Sequence, residues 1–190
     1  MINSIRNVVA DSLELKKSFF QANEERIEQV AREICRAFEN GNKIILYGNG
    51  GSAADAQHIA GEWVGKFQRD RLPLPAIALT TDTSILTAVS NDFGFEQVFA
   101  RQVRAIGKKG DVAIAISTSG NSPNVLLATD VAREMGIVTV GFTGGDGGKL
   151  AAKVQYSLNV PHNASARIQE VHIMLGHILC GLTEENLKGV

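Results

Sequence analysis

The chain has 190 residues, of which 44% are hydrophobic and 21% are charged, and its formal net charge is −1. These proportions are typical of a soluble globular protein, and the length suits one domain spanning residues 1–190. A net charge near zero without a basic cluster argues against nucleic acid as a partner, because binding to phosphate backbones depends on concentrated Lys and Arg. The sequence has neither an apolar run of ~18 residues nor the apolar core of a signal peptide, so we expect no membrane partner and a cytoplasmic location.

The N-terminal part of the chain, 1–40, predicts a pair of helices. Apolar residues recur at mostly helical spacing over 2–22 and again over 24–39, with a polar break between the two segments. Asn40 and Gly41 then provide a helix C-terminal signal. Because helices attached to a core domain often supply a contact between copies of a chain, we expect this pair to contribute to a homo-oligomer.

Residues 41–190 predict an α/β core in which short apolar runs alternate with helices. The runs are bounded by Gly, Pro and polar residues, as is usual for buried strands of a parallel sheet. The predicted strands are 44–47, 76–79, 111–116, 138–143 and 155–160. Five strands alternating with helices predict a doubly wound, mostly parallel sheet flanked by helices.

A glycine-rich loop, GNGG at 48–51, follows the first predicted strand. It lets the backbone turn tightly and approach a ligand closely, because glycine tolerates positive φ. Ser52 is a good N-cap, and 53–65 has the composition of a helix. A helix that begins here presents unpaired N–H groups and a partial positive charge, which together favour an anion such as phosphate.

Two other interpretations of this loop stay open. The pattern Gly48-x-Gly50-x-x-Ala53 matches the loose dinucleotide-binding fingerprint, which expects an acidic residue about 20 residues later, at the end of the next strand. Asp82 instead lies roughly 30 residues on, within TTDTS, so the match to that fingerprint is weak. The loop can also be a tight turn that binds nothing.

A second loop of the same kind, STSGNSP at 117–123, follows the third predicted strand. Its serine and threonine hydroxyls can donate hydrogen bonds, and Pro123 suits the first turn of the next helix. One hydroxyl-rich loop is often only a helix cap. Two loops that leave the same end of a parallel sheet line one crevice, and open α/β sheets bind their ligands in such crevices.

His58 and Glu62 lie one turn apart on the helix predicted after the first loop, so both face the same way. An imidazole and a carboxylate at that spacing can share one Zn²⁺ or one substrate, or they can form an ordinary helix-surface pair. The last predicted helix, 164–187, carries Gln169 and His177, which taken alone suggest a solvated glutamine and a core histidine. These residue types alone do not establish a metal site.

Five segments, taken in chain order, resemble the phosphoheptose isomerases, which are sugar isomerase (SIS) domain proteins. The segments are GNGGSAADAQH at 48–58, SNDFGF at 90–95, ISTSGNS at 116–122, TGGDGG at 143–148 and RIQEVHI at 167–173. Glu62 and His177 also match the family at compatible spacing, and the similarity extends from Gly41 to Glu185.

The resemblance implies conversion of D-sedoheptulose 7-phosphate to D-glycero-D-manno-heptose 7-phosphate, the first step towards the activated heptose of lipopolysaccharide and related glycans. It also implies a cytoplasmic homotetramer with active sites between subunits and one zinc ion per site. Glu62 and His177 would be the acid–base pair. The implied metal ligands are His58, Glu62, Gln169 and His177. The implied substrate-binding residues are Asn49, Gly50, Gly51, Glu62, Asn91, Asp92 and Gln169 for the sugar, and Ser117, Thr118, Ser119 and Ser122 for the phosphate.

Two non-enzymatic alternatives share this resemblance. A relative of these isomerases binds the bacterial replication initiator, and its SARIQE segment is similar to 165–170 here. A sugar-phosphate sensor would bind the same ligand without turnover. The joint presence of Glu62, Ser119 and His177 favours the enzyme, because an interaction module has no chemical need for them. One departure is Ala166, where some family members have an acidic residue, which leaves a secondary polar role there unfilled.

Overall fold

The computed structural model describes residues 1–187, which form a five-stranded sheet covered by helices on both faces. The strands are β1 (Ile44–Gly48), β2 (Ala76–Ala78), β3 (Val112–Ser117), β4 (Val138–Gly144) and β5 (Tyr156–Val160). All neighbouring strands are parallel, and their order is β2-β1-β3-β4-β5. The predicted doubly wound sheet is therefore confirmed, and the described part of it is parallel throughout rather than mostly so.

Seven α-helices occur within these residues, together with a short 3₁₀ turn at Phe95–Gln97. The helices are α1 (Ile2–Glu39), α2 (Gly51–Val64), α3 (Thr83–Phe93), α4 (Val98–Ile106), α5 (Pro123–Glu134), α6 (Gly148–Ala151) and α7 (Ser165–Asn186). The side chains of β1 alternate between two apolar cores. Ile44 and Leu46 pack with α1, α2 and α7, whereas Ile45 and Tyr47 pack with α4 and α5. A strand covered on both faces must be apolar at every position, which explains the unbroken run in the sequence.

The predicted pair of N-terminal helices is wrong, because α1 is one helix of 38 residues. The segment around the expected break contains neither Gly nor Pro. Asn23, which was expected to end the first helix, instead donates a side-chain hydrogen bond to the carbonyl oxygen of Phe19 at 2.8 Å. Polar residues alone, without Gly or Pro, therefore do not interrupt this helix.

The start of the helix after β1 differs from the sequence prediction. Helix α2 begins at Gly51 with Gly50 at its N-cap position, so Ser52 lies buried in the first turn rather than capping it. Helix α3 extends to Phe93 and includes Asn91 and Asp92. The glycine-rich turn after β4 leads into the short helix α6. No helix within residues 1–187 is long and apolar enough to cross a membrane.

The strand order creates a switch point between β1 and β3. After β1 the chain passes to β2 at one edge of the sheet, and then returns to place β3 on the other side of β1. The carboxyl ends of the two strands lie side by side, with Gly48 opposite Ile116. The loops that leave these ends diverge to opposite sides, and a crevice opens between them. Both loops singled out in the sequence, 48–51 and 117–123, lie at this crevice.

Candidate active site

Two glycines shape the first loop, one through its backbone conformation and one through close packing. Gly50 has φ 55°, a left-handed conformation that favours glycine. A Cβ atom on Gly51 would lie 2.4 Å from Nε2 of Gln169 on α7, well inside van der Waals contact. Gln169 is thereby packed against the start of α2, so the sugar-binding candidates Gly51 and Gln169 are neighbours.

A pair of asparagines ties the two loops together. The side-chain amide of Asn49 donates to Oδ1 of Asn124 at 2.9 Å, and the amide of Asn124 donates back to Oδ1 of Asn49 at the same distance. Asn124 is 3% exposed and also accepts a hydrogen bond from the N–H of Val125. Sequence reasoning missed Asn124. Its position directly after Pro123, in the first turn of α5, was the available signal.

The second loop contains hydroxyl groups that do not cap helix α5. Ser122 occupies the N-cap position of α5, yet its hydroxyl makes no cap hydrogen bond and lies 3.1 Å from Oγ of Ser117. Ser119 is exposed, and its Oγ accepts a hydrogen bond from the N–H of Asn121 at 3.2 Å. A cavity of about 420 Å³ opens beside Thr118 and Ser119. These hydroxyls remain free to donate to an anion at the helix N-terminus.

Three side chains converge across the helices α2 and α7. Nε2 of His58 lies 2.9 Å from Nε2 of His177 and 3.2 Å from Oε1 of Glu62. One ligand atom from each of these residues falls within 4.8 Å of the others. Half of the His58 side chain and a quarter of the Glu62 side chain are exposed, so a small molecule can reach the group. The spacing of His58 and Glu62 on one helix face was predicted, and the structure brings His177, which the resemblance implied as a ligand, close to them.

This donor set fits a divalent transition metal. Two ligand atoms bound at about 2.0–2.1 Å to a tetrahedral ion lie ~3.3 Å apart, which is close to the separations of 2.9 and 3.2 Å found here. Two imidazoles and one carboxylate are also the protein ligands of catalytic zinc sites that keep a fourth position open. The group can therefore hold a metal ion and still admit a substrate oxygen.

Two other predicted substrate-binding residues, Asn91 and Asp92, lie on helix α3 rather than in either of the two loops. Both are exposed near the end of α3, and the amide of Asn91 donates to Oδ1 of Asp92 at 2.8 Å. A cavity of about 560 Å³ between α1 and α7 is lined by residues such as Arg32, Glu28 and Leu182. It contains none of the predicted site residues.

Asp55 and His172 are polar side chains near the site that sequence reasoning left unassigned. Oδ2 of Asp55 and Nδ1 of His172 are buried with no hydrogen-bond partner among residues 1–187. Burial raises the pKa of Asp55 to about 6, although His58 opposes the shift. Burial also lowers the pKa of His172 to about 4, so this ring is neutral at pH 7 and its Nε2 hydrogen-bonds the carbonyl oxygen of Thr143 at 3.0 Å.

The parallel sheet and the hydroxyl-rich loop define the class of protein: residues 9–144 match the family model described as the SIS domain. A phosphoheptose isomerase of Aquifex aeolicus is 53% identical over 185 residues, which is 97% of each chain. One from Aneurinibacillus thermoaerophilus is 52% identical over 188 residues, covering 97% of this chain and 94% of the relative. A solved phosphoheptose isomerase from Neisseria gonorrhoeae is 45% identical with a TM-score of 0.91, covering 96% and 98% of the two chains. The chain belongs to the phosphoheptose isomerase family, which confirms the resemblance found in its sequence.

Proposed function

We infer that the protein is an aldose–ketose isomerase that converts D-sedoheptulose 7-phosphate to D-glycero-D-manno-heptose 7-phosphate, a step that supplies heptose for lipopolysaccharide or related glycans. The observation that carries this inference is the convergence of Glu62, His58 and His177 from α2 and α7, where α2 is the helix that follows the first loop at the switch point. Family membership at about half identity over nearly the whole chain supports the same substrate.

Isomerisation moves a proton from C1 to C2 of the sugar through an enediolate. Glu62 is the proposed base that takes the proton from one carbon and returns it to the neighbouring one. His177 is the proposed partner that exchanges a proton with the substrate oxygens as their charge changes. The two groups come from different helices, α2 and α7, and their ligand atoms lie within 4.8 Å of each other, so both can act on one bound carbon chain.

The loops are proposed to bind the rest of the substrate. The hydroxyls of Ser117, Thr118, Ser119 and Ser122 would hold the phosphate, helped by the N-terminus of α5. The sugar would be held by Asn49, Gly50, Gly51, Asn91, Asp92 and Gln169, together with Glu62. The asparagine pair between the loops supports this division, because it fixes the sugar-binding loop relative to the phosphate-binding one.

Replacing Ser122 or Ser119 with alanine is expected to weaken substrate binding. Each hydroxyl would donate to a dianionic phosphate, and losing one charge-assisted hydrogen bond costs about 1.5–3 kcal/mol, roughly a 10- to 150-fold rise in KM. The Michaelis constants of the two variants provide the measurement. Ser18→Ala is the control, because Ser18 lies on the exposed face of α1 and bonds only within that helix. An unchanged KM in both loop variants would mean that the loop only begins helix α5 and does not bind the phosphate.

We also propose that the site holds one Zn²⁺ ion through His58, Glu62, Gln169 and His177. The observation that supports this is that ligand atoms of His58, Glu62 and His177 converge in the structure. When bound, the ion would polarise the substrate carbonyl as a Lewis acid and stabilise negative charge that develops on its oxygen. The residues themselves remain responsible for orienting the sugar and moving its proton.

Chelation is expected to abolish most of the activity, and added Zn²⁺ is expected to restore it. Metal affinity should fall below about pH 6, because protonated imidazole competes with the metal. Elemental analysis of His58→Ala should show loss of bound zinc, whereas His162→Ala should retain it, since His162 lies outside the donor set and pairs with Asp11. Full turnover by a preparation shown to be free of metal would remove zinc from the mechanism.

The proposal includes a cytoplasmic homotetramer with active sites between subunits, built on a single domain that spans residues 1–190. The first half of α1 supports an interface. Ile2, Ile5, Val9 and Leu13 lie along one side of this helix and are 67%, 63%, 51% and 63% exposed. An apolar stripe of this size on a helix is usually covered by another element.

Ala166, at the position where some relatives have an acidic residue, lies in the first turn of α7.

Incubation with D-sedoheptulose 7-phosphate separates the enzyme from its non-catalytic alternatives. The isomerase is expected to form the aldose, which can be detected as a new aldehyde-bearing heptose phosphate. A sugar-phosphate sensor would bind the ketose without forming product. A protein that binds a replication initiator would do neither. Absence of an aldose product from the zinc-loaded protein would overturn the proposed activity.

A further inference from the structure

A buried carboxylate holds the loop that follows α2. The side chain of Glu184 on α7 is 2% exposed and accepts hydrogen bonds from three successive backbone N–H groups, those of Phe67, Gln68 and Arg69, at 2.9, 2.9 and 3.0 Å. It also accepts one from Nε of Arg71 at 2.8 Å. Burial alone would raise the pKa of Glu184, but these donors outweigh it and hold the pKa below its ordinary value.

Arg71 connects this carboxylate to the end of the helix that carries His58 and Glu62. Its guanidinium donates to the carbonyl oxygens of Glu62 and Trp63, each at 2.8 Å, and its side chain is 3% exposed. These carbonyls lie in the last turn of α2, where backbone oxygens lack partners within the helix. The ion pair of Arg71 and Glu184 therefore joins the last turn of α2 to the last turn of α7.

The loop held in this way delivers an aromatic ring to His177. The ring of Phe67 stacks on the imidazole with a centroid separation of 5.5 Å and an interplanar angle of 23°. Phe67 also packs beside Gly181, where a Cβ atom would lie 3.5 Å from its Cε1, an ordinary van der Waals contact. The imidazole is only partly buried, and Phe67 supports one of its faces.

We propose that Phe67, Arg71 and Glu184 are positioning residues that set the orientation of the His177 ring relative to Glu62. The inference rests on the proposed roles of those two residues in proton transfer. The χ2 angle of a histidine is only broadly restricted, so a partly exposed imidazole needs a neighbour to fix its plane. Errors of about 1 Å in the placement of a catalytic group can cost about 10²-fold in rate. Outer groups that orient metal ligands likewise change affinity or activity by about 10- to 100-fold.

The variants Phe67→Leu and Glu184→Gln test this proposal, with Phe67→Tyr as the conservative variant that keeps the ring. The first removes the stacking face but keeps an apolar side chain. Glu184→Gln leaves one side-chain oxygen for the four N–H donors that share two carboxylate oxygens in wild type. Both should lower kcat for D-sedoheptulose 7-phosphate at least ~10-fold with KM nearly unchanged, and weaken Zn²⁺ binding ~10-fold, as expected for positioning groups. Phe67→Tyr should stay near the wild-type values.

Asp111→Asn is the matched control for general destabilisation. Asp111 is fully buried, pairs with Nζ of Lys43 at 2.6 Å, and accepts N–H groups from Lys43 and Lys108. It directly precedes β3, at the opposite end of the strand from the second loop. The control should lower the melting temperature as Glu184→Gln does, while kcat and zinc affinity stay near wild type at a temperature where both variants are folded.

A readout that does not need turnover completes the test. The ring current of Phe67 should shift the NMR resonances of the His177 ring, and the shift should vanish in Phe67→Leu and shrink in Glu184→Gln. If wild type fails to convert the sugar, the proposed function falls, and the NMR shift and the Zn²⁺ affinity still decide whether Phe67 orients His177. If Glu184→Gln does not fold, the two Phe67 variants decide. Wild-type kcat, zinc affinity and His177 resonances in Phe67→Leu would overturn the proposal, as would equal losses in Asp111→Asn.

Discussion

Glu62→Gln is expected to lower turnover of D-sedoheptulose 7-phosphate by roughly 10²- to 10⁴-fold, the usual cost of removing a general base. Glutamine keeps the size and much of the hydrogen-bonding shape of glutamate but cannot accept the carbon-bound proton. Binding of the sugar phosphate should largely survive, because the hydroxyl loop and the asparagine pair are untouched. Loss of a carboxylate from the group with His58 and His177 should deepen the defect if the metal is also released.

Steady-state kinetics and ligand binding by calorimetry measure this expectation. The control is Glu25→Gln, because Glu25 is an exposed carboxylate on α1 outside the site. His177→Ala should be similarly damaging, and the double variant should lose far less than the product of the two single losses, since groups that act as a unit are not additive. Turnover within about threefold of wild type in Glu62→Gln would move the proton transfer to another group, with His177 the first candidate.

Gly120→Ala is expected to disrupt the phosphate loop. Gly120 has φ 62°, and a Cβ atom there would lie 2.0 Å from the carbonyl oxygen of Gly147. The added methyl group must push apart the loops after β3 and β4, which are also joined by the hydrogen bond from the N–H of Leu150 to the carbonyl oxygen of Gly120 at 2.9 Å. We expect a loss of at least about 2–4 kcal/mol in the free energy of unfolding, the combined cost of backbone strain and overpacking.

Gly145→Ala separates the two causes of this effect. Gly145 has the same φ of 62°, but nothing lies within 4 Å of its Cβ position. Its substitution should therefore cost only about 1–2 kcal/mol, the penalty for a left-handed alanine. Denaturant unfolding measures the two stabilities. The KM for D-sedoheptulose 7-phosphate reports phosphate binding, which should weaken in Gly120→Ala only. Equal losses in the two variants would mean that contact between the loops contributes little.

The parts of the fold that the sequence predicted are those with local signals. Apolar runs, glycines and hydroxyl residues mark the strands and both loops, and the parallel order then brings 48–51 and 117–123 to one crevice. The break expected within α1 was wrong, because helix continuation depended on the absence of Gly and Pro rather than on polarity.

The rest of the site depends on contacts between residues distant in sequence. His58 and Glu62 could be paired from their spacing, but the 2.9 Å approach of His177 reflects how α7 packs on α2. Asn124 and Glu184 left no pattern that identifies their partners, because each bonds a segment more than 70 residues away. The sequence therefore suggested which residues take part in the site, and tertiary packing determined how they are placed.

Isomerisation in deuterium oxide tests the proposed proton transfer at Glu62 most directly. If the carboxylate takes a proton from C1 and returns one to C2, it can exchange that proton with solvent while the enediolate exists. Wild type is then expected to release aldose that carries solvent deuterium at C2, and Glu62→Gln is expected to incorporate deuterium there at least ~10²-fold more slowly. Deuterium incorporation at C2 by Glu62→Gln at a rate close to that of wild type would contradict the proposed role.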